Sequence, residues 1–97
     1  MFIITNTTNG GEYTPSKANT LEEARAWLLE CTANNIRAWK GCEYPELDNM
    51  TNEEVLDWAE EKAEDGEIDF SYNKDSSEIY YDDDSYNIMN VYDLDKL

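Results

Sequence analysis

The sequence predicts an α+β fold in which two helices pack on one face of a small antiparallel sheet, with the elements in the order β(β)ααβββ. Three observations predict it. Two stretches open on a capping box and continue with apolar residues at helical spacing. A short β-branched run and a glycine turn precede them. Three segments of alternating apolar and polar residues, joined by polar turns, follow them. A helix stripe and a half-apolar sheet each need a partner layer, and each supplies the other's. At 97 residues the chain suits one domain, 1–97.

Phe2-Ile3-Ile4-Thr5 is β-branched and reads as a strand. Asn9-Gly10-Gly11 is a turn signal, and Glu12-Tyr13-Thr14 returns as a second strand before Pro15. Thr20-Leu21-Glu22-Glu23 is a capping box. Leu21, Ala24, Leu28 and Cys31, with Trp27 beside them, give the stripe of the first helix. It ends at Asn34-Asn35 or runs on to Lys40 with Gly41 as its cap. Cys42 to Asn49, with Pro45, reads as a loop. Thr51-Asn52-Glu53-Glu54 is the second capping box, with Met50 and Val55 placed for a hydrophobic staple. Val55, Leu56, Ala59 and Ala63 form the second stripe, and Gly66 stops the helix. The period then drops to two. Ile68, Phe70 and Tyr72 alternate with polar residues. Ser77 to Tyr81 and Tyr86 to Tyr92 follow as further strands, separated by Asn73-Lys74-Asp75-Ser76 and Asp82-Asp83-Asp84-Ser85.

Charge is the most uneven property of the chain. Asp and Glu number 23 against 7 Lys and Arg, a net of −16. Residues 1–42 hold four acids and four bases, so the whole excess lies in residues 43–97, where 19 acids face Lys62, Lys74 and Lys96. Such a field disfavours direct contact with nucleic acid or an anionic membrane and favours basic protein partners. The N-terminus lacks a signal-peptide pattern, and no run approaches the roughly 20 apolar residues of a membrane span, so a cytoplasmic protein is expected.

The chemistry-bearing inventory is thin. There is no His, and the two cysteines, Cys31 and Cys42, form no metal-ligand pattern. Glu61 to Tyr72 resembles a calcium loop only around Gly66: Ala63 and Tyr72 stand where ligands belong. Neither a nucleotide-binding glycine motif nor a His-assisted nucleophile is present. The expectation is a non-enzyme with no cofactor and no metal site, either monomer or dimer.

The candidate partner-binding residues are acidic. Glu53, Asp57, Glu60 and Glu64 recur at three- and four-residue spacing, which places them on one helix ridge about 5–6 Å apart. Glu61 and Asp65 widen it. Asp69, Glu78, Asp82, Asp83 and Asp84 carry the acidity into the following strands and turns. Duplex DNA carries one charge per about 1.7 Å of axis, so a carboxylate ridge can imitate part of a phosphate track. Tyrosines interleave with the acids: Tyr72, Tyr80, Tyr81, Tyr86 and Tyr92. One of Tyr80 and Tyr81 must point away from the core, and Tyr81 is the one taken as an interface anchor.

Small size, one-sided acidity in residues 43–97 and interleaved aromatics together resemble the acidic inhibitors of phages and mobile elements, including nucleic-acid mimics and anti-CRISPR proteins. The resemblance lies in the class profile. It implies a basic nucleic-acid-binding partner, such as a CRISPR effector nuclease, whose nucleic-acid channel the chain would occupy. An immunity protein or antitoxin that neutralises a basic nuclease toxin shares the same electrostatics.

Overall fold

The computed structural model describes residues 1–82 and 84–96. Its strands are β1 (Phe2–Thr8), β2 (Gly11–Glu12), β3 (Ser16–Ala18), β4 (Asp69–Asn73), β5 (Ser76–Tyr80) and β6 (Tyr86–Asp93). Its helices are α1 (Leu21–Lys40) and α2 (Asn52–Glu64), with single 3-10 turns at Pro45–Asn49 and Leu94–Lys96. All strand pairs are antiparallel, in the order β2-β1-β6-β5-β4, with β3 also on β1. The architecture is therefore the expected α+β arrangement in the expected order.

The N-terminal hairpin differs in detail. β1 pairs with β6 along its whole length, so β2 and β3 share its other edge. Pro15 has no N–H to give to a ladder, and the edge strand breaks around it. Instead of one strand over residues 12–14, Gly11–Glu12 and Ser16–Ala18 pair separately. The Tyr13 N–H, donating to the Asn6 carbonyl at 3.0 Å, holds the break against β1.

α1 runs through Asn34-Asn35 to Lys40. Asn34 faces solvent and accepts from Arg37 at 3.0 Å, while Thr32, Ala33 and Ile36 keep the inner stripe buried. Gly41 caps the helix in a right-handed conformation, φ −60. It is glycine for space: a Cβ there would press into the Arg37 carbonyl oxygen. At the end of α2 the reason is dihedral. Gly66 has φ +77, and the Gly66 and Glu67 N–H groups donate to Ala63 and Lys62 carbonyls at 3.1 and 3.0 Å, a Schellman closure.

Both helices lie on the sheet face built by Ile4, Met89, Ser77, Ile79 and Phe70. Ala33 and Ile36 of α1, Val55, Leu56 and Ala59 of α2, and Leu47 between them complete the main core. A smaller cluster of Ile4, Ala18 and Ala24, with Trp27 against it, holds the β1 end. The Cys42–Asn49 segment is more ordered than a loop: Pro45 starts its 3-10 turn and Leu47 is buried. Thr32 donates to Ser77 at 3.1 Å, a buried pair that ties α1 to β5.

Candidate partner-binding surface

α2 begins with both arms of its capping box made. The Thr51 hydroxyl accepts from the Glu54 N–H at 3.2 Å, and the Glu54 carboxylate accepts from the Thr51 N–H at 2.9 Å. Met50 packs against the core cluster to which buried Val55 belongs, consistent with a hydrophobic staple. The register so fixed turns Val55, Leu56 and Ala59 inward. At 3.6 residues per turn, Glu53, Glu54, Asp57, Glu60, Glu61 and Glu64 then fall within an arc of about 120° centred on Asp57. All six are exposed, as is Asp65 at the C-cap.

Among the described residues, none of these acids lies in an ion pair. The ion pairs are Arg25–Asp75 at 2.9 Å, Lys40–Glu43 at 3.8 Å, Lys62–Glu67 at 3.0 Å, and the amino terminus with Asp95 at 3.0 Å. Lys62, the one base of α2, is turned away from the arc. It lies over the rings of Tyr44 and Trp58, 5.3 and 5.9 Å from their centroids, and its pairing with Glu67 raises its pKa.

The sheet acids stand elsewhere. Asp69 and Glu78 sit on the outer face of β4 and β5, opposite the helices, because Phe70 and Ile79 occupy the inner positions. Asp69 is exposed and Glu78 half-buried. The α2 acids and the sheet acids therefore lie on the two sides of the β4 edge. In the β5–β6 turn, the Asp82 carboxylate accepts from the Asp84 and Ser85 N–H groups, both at 2.8 Å. Asp83 lies outside the described residues.

Tyr81 does not point outward as an interface anchor would. Tyr81 is on the inner side, half-buried, its ring edge-on to Trp39 at 5.2 Å; burial raises its hydroxyl pKa. Tyr80 is the outward one. It leans on Tyr86 with centroids 6.3 Å apart, and Glu78 beside it raises its hydroxyl pKa, with lesser contributions from burial and from Asp69. Ile3, Ile88 and Tyr92 share this outer face, opposite the one on which α1 and α2 lie. β5 spans Ser76–Tyr80, one residue earlier than the sequence predicts, and turn and core together decide which tyrosine stays inside.

Comparison with known proteins gives no match: no family model, no curated protein and no solved structure is similar to this chain. The geometry alone carries the functional argument.

A further residue gains a role that its local sequence did not signal. Arg37 on α1 donates to the Asn34 and Asn52 side chains at 3.0 and 2.8 Å, and to the Met50 and Leu47 carbonyls at 2.8 and 3.3 Å. It thereby seats the start of α2 and sets the direction of the acidic arc. Among the described residues no group of three or more His, Cys, Asp and Glu is arranged to hold a metal ion, and no helix is long and apolar enough to cross a membrane.

Proposed function

We propose that this chain is an inhibitory binding protein of the cytoplasm that occupies the basic nucleic-acid-binding surface of a defence nuclease, such as a CRISPR effector, and excludes the nucleic acid. One observation carries the reading: six carboxylates share one arc of α2, and among the described residues no base pairs with any of them. An arc of one sign repels itself by a few tenths of a kcal/mol per i,i+4 pair, a cost that an external cation removes. Carboxylates spaced about 5–6 Å apart meet Arg and Lys side chains that otherwise hold phosphates. The field of a chain with net charge −16 steers such a partner from a distance and weakens as salt rises.

The test is the quadruple variant Asp57→Asn, Glu60→Gln, Glu61→Gln, Glu64→Gln. These side chains are exposed and keep their shape, so the fold is retained. The wild-type chain should retain a basic nucleic-acid-binding protein from host lysate at low salt and release it at high salt. The variant should retain none. Equal retention by the variant removes α2 from the mechanism.

A further inference from the structure

β4 is the free edge of the sheet. It pairs with β5 on one side, and nothing among the described residues pairs with its other side. In an antiparallel ladder every second residue turns its N–H and C=O outward, so part of the Asp69–Asn73 backbone offers unmade hydrogen bonds. Natural edges are blunted by Pro, by charged side chains, Lys above all, by bulges or by covering elements. The one charge on this edge is Asp69, which repels an acidic strand but not a basic one. The sequence DFSYN carries no Pro and no Lys, and its five residues pair with β5 in unbroken register. The opposite edge differs, since Pro15 interrupts it.

The surroundings of this edge are acidic on both sides. A shallow, open groove lies between α2 and β4, lined by Glu60, Glu64, Phe70, Ser71 and Tyr72. The Tyr72 hydroxyl has a raised pKa, through burial first and then the nearby negative charge of Glu60, Asp75 and Glu53. Asp69 guards the outer side. A strand laid against β4 would point alternate side chains into the groove about 6.6–6.8 Å apart. Successive carboxylates one helical turn apart on α2 are about 6 Å apart. The two repeats are similar in length, so bases at alternate positions of an added strand share the spacing of Glu60 and Glu64.

From this edge and groove we infer that β4 is a strand-addition site for an extended segment of the basic partner, one bearing Arg or Lys at alternate positions. The inference rests on the acidic-surface reading above and adds backbone pairing to it. A second copy of this chain does not fit, because pairing β4 with β4 would bring two sets of Glu60, Glu64 and Asp69 together.

The probe is a synthetic peptide of alternating Arg and Thr, with two N-methylated forms, each blocking the N–H groups along one edge. Charge is identical in all three. The parent peptide should bind at low salt and slow hydrogen exchange of β4 amides. Methylation along one edge should weaken binding roughly tenfold or more, because strand pairing needs those donors, and methylation along the other should not. Equal binding by all three, or binding without protection of β4, overturns the inference. A helical Ala-Lys peptide separates the two readings. If the helical peptide binds and the alternating one does not, strand addition fails and the acidic-surface reading stands. If neither binds at low salt, both fail.

Discussion

Arg37 shows how much of this molecule depends on single polar contacts. Its guanidinium serves four acceptors on three segments, and it is half-buried. Lysine cannot reproduce a planar fork of five donors. Arg37→Lys should therefore lower unfolding stability by about 2 kcal/mol, read from urea denaturation, because the part-buried Met50 carbonyl and Asn52 side chain lose their donor. Gly41 makes a sharper test, because its sign runs against the usual one. At a right-handed position Gly→Ala ordinarily stabilises by about 0.4–1 kcal/mol. Here the added methyl meets the Arg37 carbonyl, so Gly41→Ala should destabilise by about 1–3 kcal/mol. A rise in melting temperature would contradict that reading.

Asp75 supplies the residue-scale pH dependence. The Arg25 guanidinium, bonded to it at 2.9 and 3.2 Å, holds its carboxyl below the usual value of 3.8. The unfolded chain thus binds the proton more readily than the folded one. The pair's contribution is present above the unfolded pKa and is lost as pH falls through the folded one. Stability of the wild-type chain should drop more steeply below about pH 4 than that of Asp75→Asn, measured by acid titration of the unfolding midpoint.

At the scale of elements, α2 was the most legible part of the sequence. A capping box and a terminal glycine each have a local cause, and both are made as read, with Met50 and Val55 in one core cluster. What sequence could not show was long-range. β3 is three residues beyond a proline, too short for a periodicity to register. α1 continues through Asn34-Asn35 because Arg37 and the buried side of the helix hold it, which local propensity does not reveal. Tyr80 and Tyr81 exchange roles through the register of one hairpin.

The acids of α2 give this scale its prediction. Glu60→Gln with Glu64→Gln removes like-charge contacts and an unfavourable anion near the helix C-terminus. The double variant should melt at the wild-type temperature or slightly above it at low salt, with the difference vanishing at high salt. A lower melting temperature in the variant would show that these carboxylates have internal partners.

For the molecule as a whole, the acidity divides around one edge instead of coating a single face. α2 carries one group, and the outer face of β4 and β5 carries another. Sequence spacing located the ridge, since a helix converts three- and four-residue spacing directly into a surface. It could not place Asp69 and Glu78 relative to that ridge, because sheet faces depend on pairing with distant strands. With 19 acids against three bases in residues 43–97, the folded state should gain stability as salt screens repulsion, over a Debye length of about 10 Å at 0.1 M. Thermal melts across a salt series check this.

The most direct measurement is competition on a captured partner. A fluorescent nucleic acid is first bound to the basic protein, and this chain is then titrated in while anisotropy is followed. Nucleic acid should leave in step with binding of the chain, and the Asp57→Asn, Glu60→Gln, Glu61→Gln, Glu64→Gln variant should displace none. A stable ternary complex, with nucleic acid retained while the chain is bound, would contradict this mechanism.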